Sequence, residues 1–326
     1  LLSGSQFDID SHIKEEIIEK IENSFLPVIY NGNMMDMVRG REITSYSVHD
    51  KEKGTAALNQ LLILSKAAEN EQKTRLENFV LKESDESFID NSGNISAIKF
   101  YKELAPRELT AENAQAFQMN GMARTVVKRP DFAFGISMSS KRVAYYEAIN
   151  SQNPKGYYTG YGMTYIYDSD HTQYGGSYWT NVDKKRLFGT TVTGRSIADY
   201  YKQWTSPSNT YAGGAELDGN SATGMILSGY DNQLTAKKSW FAIGDEIIAL
   251  GSDIKAETDT TEVQTVIENK RLYGSRVFKV DGLAISADNA SARTNLGTKS
   301  TAFIANDTQN NQKGTGYIFH SDINLY

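Results

Sequence analysis

The chain of 326 residues, with 39% hydrophobic and 23% charged residues and a formal net charge of −6, has the composition of an ordinary globular protein long enough to build two cores. The acidic balance excludes the broad basic surface by which nucleic-acid binders engage a polyanion, and no apolar run reaches the ~18 residues of a membrane span. Cysteine is absent, so disulfides and thiolate metal sites are excluded, and the four histidines (His12, His49, His171, His320) lie too far apart for a local metal motif.

Residues 1 to about 105 read as helical. Asp10-Ser11 caps a segment in which Ile13, Ile17, Ile18 and Ile21 recur at helical spacing, with Lys14, Glu15, Glu19 and Glu22 on the other face; the pattern predicts an amphipathic helix ending before Pro27. A loop rich in Gly and Asn follows, carrying Met34-Met35-Asp36-Met37 and then Arg39-Gly40-Arg41-Glu42-Ile43. Thr55 to Glu69 predicts a second helix, with Leu58, Leu61, Leu62 and Leu64 inside. Arg75 to Lys82 predicts a third and Ile95 to Leu104 a short fourth.

From about Arg124 the pattern changes to short β-branched and aromatic runs separated by Gly, Asn, Asp and Ser. Strands are predicted over 132–138, 143–147, 223–227, 263–268, 277–280 and 301–304, and the run 157–167 reads as an aromatic strand punctuated by glycine. Lys238 to Ile243, the turn Gly244-Asp245 and Glu246 to Gly251 together predict a hairpin. Helices do not alternate with these strands, which favours an antiparallel sandwich over a parallel α/β sheet. The sequence opens on Leu1-Leu2-Ser3-Gly4 without a Met, and Gly316 to Phe319 reads as a strand shortly before Tyr326. The expectation is a piece of a longer protein, whose leader peptide this sequence cannot report.

Several constellations bear on chemistry. Arg39 and Arg41 flank a glycine and offer forked donors for a carboxylate, or else decorate a solvated loop. Glu147 and Asn150 close the run Tyr146-Glu147-Ala148-Ile149-Asn150. They either hold an arginine and a sugar or cap the turn at Asn153-Pro154. The neighbouring aromatic run is either a face on which sugar rings stack or a buried strand. Asp168-Ser169-Asp170-His171 and His49-Asp50 read as polar loops. Gly175-Gly176 and Gly213-Gly214 lack the strand-to-helix context of a phosphate cradle, and no Gly-x-Ser-x-Gly elbow occurs.

Taken in order, Met-Val-Arg-Gly-Arg-Glu-Ile, Tyr-Glu-x-x-Asn, Gly-Tyr-Tyr-Thr-Gly-x-Gly-Met-Thr-Tyr-Ile-Tyr, Tyr178-Trp179, Gly189-Thr190-Thr191, Lys238-Ser239-Trp240-Phe241 and Leu250-Gly251-Ser252 resemble the family 8 polysaccharide lyases, the hyaluronate, chondroitin AC and xanthan lyases. The resemblance implies an α+β fold, with the last helices of an α/α toroid over 1–105 and a large antiparallel β-sandwich over 106–326. It implies β-elimination on uronic-acid-containing chains: a base takes the C5 proton, the leaving glycosidic oxygen is protonated, and no water is consumed.

By the same resemblance, Arg41 is the arginine beside the catalytic tyrosine, Glu147 orients it, Asn150 contacts substrate, and Arg39 belongs to the same cleft. The family's asparagine, histidine and tyrosine come from helices upstream of this segment, so the chain alone is expected to be inactive. Ser45 stands where family sequences often carry a second arginine, beside Tyr46. The expected partners are an acidic polysaccharide, hyaluronan or chondroitin first, and the N-terminal toroid portion of the same protein; no cofactor, metal, nucleic acid or membrane span is expected. The location implied is secreted or cell-surface in a bacterium. A non-catalytic carbohydrate-binding or adhesive sandwich, suggested by the 19 tyrosines, is the alternative.

Overall fold

A computed structural model of the protein describes residues 4–6, 8–104, 107–109, 113–193, 195–230, 233–256, 262–271, 277–285, 297–305 and 314–325. Residues 1–269 form one compact unit and 270–326 another. The expected division at 105/106 lies outside the described residues.

The first unit begins with helices. In α1 (Ser11–Ser24), Asp10 accepts from the backbone N–H of His12 at 2.9 Å, satisfying one of the donors that a helix start leaves open. A two-residue ladder follows: β1 (Ile29–Tyr30) pairs with β2 (Asn33–Met34) around Asn31 and Gly32, both at positive φ. Helix α2 spans Asp50–Ser65, starting five residues before the sequence pattern indicates. His49 and Glu52 form a reciprocal capping box at its start, and a Cβ at Gly54 would lie 1.9 Å from the Gly32 carbonyl oxygen. The glycine that weakens the sequence signal is thus where the helix meets the β1–β2 turn.

Helices α3 (Asn70–Glu83), α4 (Phe88–Ser92) and α5 (Ile95–Glu103) complete the module. The short α4, stopped by left-handed Gly93, lacked a usable apolar period. Ile18, Leu58, Leu62, Leu76, Val80, Phe88 and Ala97 form the buried cluster of these helices. Each large apolar side chain so buried contributes roughly 1.5–3 kcal/mol.

Besides two-stranded ladders, the strands of this unit form two four-stranded antiparallel sheets. The first runs in sequence order, β3 (Gln115–Met119), β4 (Arg124–Lys128), β5 (Ala133–Met138) and β6 (Tyr161–Tyr167). A short helix α6 (Tyr178–Asn181) follows, then β7 (Thr191–Val192). The second sheet takes β8 (Ala212–Leu217), β9 (Asn220–Ser228), β10 (Leu234–Ile243) and β11 (Glu246–Ala256) in the order β11-β10-β9-β8. Its β10–β11 hairpin is the predicted one, with Gly244-Asp245 at the turn. Finally β12 (Gln264–Thr265) pairs with β7, a two-residue remnant of the strand expected over 263–268.

The expected strand over 143–147 does not form. Only an isolated bridge joins Ser140 and Val143, and the backbone beyond turns away: Tyr145 N–H donates to Thr205 O and Trp204 N–H to Tyr146 O, each at 3.0 Å. The aromatic strand is core. Tyr157 and Tyr158 lie in the turn before β6 and Tyr161, Tyr165 and Tyr167 within it; all are at most 7% exposed, so no sugar can stack on them, and the run is buried. Gly162, at φ +73°, leaves room for Trp240 of the second sheet, whose ring would lie 2.7 Å from an added Cβ. Glycine punctuation here serves packing between sheets.

The second unit has one antiparallel sheet, with β13 (Val277–Val280), β14 (Leu283–Ile285), β15 (Gly297–Ala305) and β16 (Gly314–Leu325) in the order β14-β13-β15-β16. The predicted strands over 277–280 and 301–304 fall within β13 and β15.

Candidate functional site

The 3₁₀ turns over Asp36–Val38 and Gly40–Thr44 carry the Arg-Gly-Arg segment. The structure brings Arg41 and Glu147 together. Arg41 Nη1 donates to Glu147 Oε1 at 2.5 Å and the Arg41 backbone N–H to Oε2 at 3.1 Å. Both side chains are about one-third exposed (35% and 38%), so screening leaves the pair little net stabilising value. Its consequence is orientation: one carboxylate fixes both the backbone and the guanidinium of Arg41. Arg41 Nε is buried with no protein partner, and Nη1 is the one guanidinium nitrogen that meets a protein acceptor among the described residues. Donors are left over for a ligand anion.

Glu147 is held from its flanks, because Tyr146 (6%) and Ala148 (1%) are buried on either side of it. Asn153, a residue the sequence did not single out, ties the two segments together. Its Nδ2 donates to Glu147 O at 3.0 Å, and its backbone N–H donates to Thr44 Oγ1 at 2.7 Å. The only sequence signal for it was its place in a turn before Pro154.

Asn150 occupies the first central position of a tight turn, with φ +52° followed by Ser151 at +62°, and Gln152 N–H closes the turn onto Ile149 O at 2.9 Å. These signs match a type I′ turn, which asparagine tolerates well. The Asn150 side chain is exposed and its amide makes no protein hydrogen bond among the described residues, so both its donor and acceptor are available three residues from Glu147.

Arg39 does not face the same opening. Its side chain is 1% exposed: Nη1 binds Asp36 Oδ1 at 2.5 Å, while Nη2 donates to Glu42 O at 3.0 Å and Val48 O at 2.9 Å. The expectation of a substrate contact is therefore corrected to an internal strut, since a guanidinium enclosed this way has no face to offer a glycan. Asp36 also accepts from the Trp179 indole N–H, and its backbone N–H donates to Tyr167 Oη at 3.0 Å. Burial pushes the Asp36 carboxyl up to about 7 against the pull of Arg39, and burial also raises Asp50 nearby.

Beside this strut lies a cleft of about 280 Å³ lined by Thr44, Ser45, Tyr46, His49, Gly176 and Trp179, among others. Tyr46 projects from its wall, 97% exposed. His49 caps α2. Asp168 and Asp170 make successive side-chain turns onto the backbone N–H groups of Asp170 (2.8 Å) and Thr172 (3.0 Å), as a polar loop should. Among the described residues no group of three or more His, Asp or Glu side chains is placed to hold a metal ion, and no helix is long and apolar enough to cross a membrane.

The chain matches two family profiles: polysaccharide lyase family 8, super-sandwich domain, over residues 114–326, and polysaccharide lyase family 8, N terminal alpha-helical domain, over residues 1–82. It is 37% identical over 279 residues to a hyaluronate lyase of Staphylococcus aureus, a match covering 82% of this chain and 34% of that protein. A solved Paenibacillus xanthan lyase superposes with a TM-score of 0.85 at 32% identity, covering 99% of this chain and 31% of that one. A Streptomyces coelicolor chondroitin AC lyase, solved in complex with chondroitin sulphate, gives 0.79 at 26% identity over 93% of this chain and 42% of its own. The chain spans about a third of the length of the curated relatives it matches.

Proposed function

Because the chain belongs to polysaccharide lyase family 8, we propose that it carries the β-side half of a site that cleaves a uronic-acid-containing glycan, hyaluronan or chondroitin first, by β-elimination. In this reading residues 1–105 are the closing helices of an α/α toroid and 106–326 belong to the β-sandwich, in a secreted or cell-surface bacterial enzyme. The observation that carries it is the Arg41–Glu147 clasp, which leaves guanidinium donors unspent with the exposed amide of Asn150 three residues from Glu147.

The chemistry asks for such an arrangement. The C5 proton of a uronate is weakly acidic, and its removal places enolate-like charge on the carboxylate. Fixed donors around that carboxylate and the base lower the barrier only if they are already oriented when the charge develops. Glu147 orients Arg41, and Arg41 in turn supplies positive charge beside the group that removes the proton. Asn150 hydrogen-bonds the sugar, and Arg39 acts from below by keeping the 3₁₀ turn rigid. The tyrosine that serves as base and acid, with its histidine and asparagine partners, is assigned to helices upstream of Arg41.

Release of unsaturated products, followed by near-ultraviolet absorbance, tests this reading. With those upstream helices supplied, Arg41→Ala and Glu147→Ala should each lower kcat on the order of 10²-fold or more with an unchanged melting temperature. Asn150→Ala should mainly raise KM. Full activity in Arg41→Ala would remove the proposal, and so would product release by the isolated 326-residue chain, because the missing groups would then be dispensable.

A further inference from the structure

Two segments far apart in the sequence, 41–44 and 147–153, are joined at two points. At the first, the Glu147 carboxylate accepts from the backbone N–H and the guanidinium of Arg41. The second is a hydroxyl. Thr44 Oγ1 accepts from the Asn153 backbone N–H at 2.7 Å and donates to Arg41 O at 3.3 Å. A hydroxyl can do both at once because it carries one donor and two acceptor lone pairs. One oxygen thus ties the end of the 3₁₀ turn to its start and to the loop across from it.

Asn153 closes the ring. Its Nδ2 donates to Glu147 O at 3.0 Å, and the residue is 1% exposed with φ +53°. Its amide is pressed on Gly156, where an added Cβ would stand 2.3 Å from Nδ2, and Gly156 N–H donates back to Asn153 O at 3.2 Å. Packing as well as hydrogen bonding therefore fixes the loop side of the second point, and the Thr44 hydroxyl carries that rigidity to the turn.

A single junction between two short segments is a pivot: it sets a distance and leaves rotation free. Two junctions, three residues apart on the turn and six apart on the loop, set the rotation as well. Asn150 lies on the loop between them, and the Arg41 guanidinium lies at the first. The angle between the Arg41 donors and the Asn150 amide is then governed by the second junction, which touches neither side chain. Misplacing a group by about 1 Å can cost on the order of 10²-fold in rate.

We propose that Thr44 is a positioning residue of this site, whose hydroxyl sets the rotation of the Arg41 turn against the Asn150 loop and acts on the reaction only through Arg41. The inference rests on the lyase reading for the reaction itself. Its effect belongs to turnover rather than to binding or folding.

The test is steady-state kinetics on hyaluronan and chondroitin with the upstream helices present, read by the near-ultraviolet absorbance of unsaturated products, together with thermal melts. Thr44→Val keeps the shape and removes the hydroxyl. It should lower kcat about tenfold with KM within about twofold, and lower the melting temperature by no more than about 4 °C. Thr44→Ser, which keeps the oxygen, should return kcat to within about twofold of the unaltered enzyme. In an Arg41→Lys background, where a flexible ammonium replaces the oriented fork, adding Thr44→Val should lower kcat less than about twofold further. A merely structural threonine would cost the same factor in both backgrounds. Equal losses in the two backgrounds, unchanged kcat in Thr44→Val, or no recovery in Thr44→Ser overturns the positioning role. A raised KM at unchanged kcat also overturns it, since Thr44 would then contact the sugar directly. If Arg41→Ala is inactive in any of these cases, only this inference fails. If Arg41→Ala is fully active, the lyase site fails, whatever Thr44 does.

Discussion

At Gly40 the backbone turns with φ +57°, and a methyl group there would stand 2.3 Å from Glu147 Oε2. Two requirements meet at one residue: a left-handed conformation that costs an L-residue roughly 1–2 kcal/mol, and space for a carboxylate pressed against the backbone. Gly40→Ala should therefore displace Glu147 and loosen Arg41, lowering turnover on the order of tenfold to a hundredfold while costing only about 1–2 kcal/mol of stability. Comparing kcat with a denaturation midpoint checks this, and a variant that unfolds without prior loss of activity would contradict it. In sequence, Gly40 was visible only as a spacer between two arginines. The two arginines, alike in type and two positions apart, were separated only by burial: Arg41 leads outward to Glu147, while Arg39 is enclosed by Asp36 and backbone carbonyls.

Strand β10 shows the same division at the scale of an element. Alternation places Ala236, Lys238, Trp240 and Ala242 on the buried face, so a lysine enters the interior in a row of apolar residues. Its ammonium donates to Gly189 O and Tyr161 O and lies 5.5 Å from the Trp240 ring, with no carboxylate paired to it among the described residues. Burial pushes Lys238 down to about 7 from its usual 10.5. The folded state then binds fewer protons than the unfolded state between those two values, so this group's contribution to stability grows as pH rises from about 7 toward 10.5 and is lost as pH falls through 7. Denaturant midpoints measured across this window should climb less steeply in Lys238→Met than in the unaltered protein, and parallel slopes would show that the lysine is not desolvated in solution.

Across the first unit as a whole, a few polar groups join the helical segment to the sheets. Lys128 of β4 donates to Leu26 O at 3.0 Å and Ile29 O at 2.7 Å, and Arg124 Nε donates to Met37 O at 2.8 Å. The Asp36 carboxylate bridges Arg39 of the 3₁₀ turns to Trp179 of α6. Removing one partner of such a buried pair leaves the other charge uncompensated, so Asp36→Asn should cost about 3–5 kcal/mol. Adding Arg39→Met should restore part of it, since the stranded charge is then removed. A thermal melt of the single and double variants decides the point, and equal melting temperatures for the two would show that the pair is uncoupled.

The sequence by itself determined the order of most elements and singled out Arg41, Glu147 and Asn150 as candidates. Helical periodicity in the segment that becomes Ser11–Ser24 and over 75–82 within α3, the Gly244-Asp245 hairpin and the Tyr-Glu-x-x-Asn spacing are local patterns, and local patterns are written in adjacent residues. Tertiary structure alone decided which of two arginines is exposed, that the aromatic run is core, that 143–147 is pinned as a loop, and that Asn153 and Thr44 fasten Glu147 beside Arg41. Those outcomes depend on burial and on partners about a hundred positions away, such as Arg41 and Glu147, whose numbers differ by 106. No periodicity along the chain encodes which distant backbone will exclude water from a given side chain.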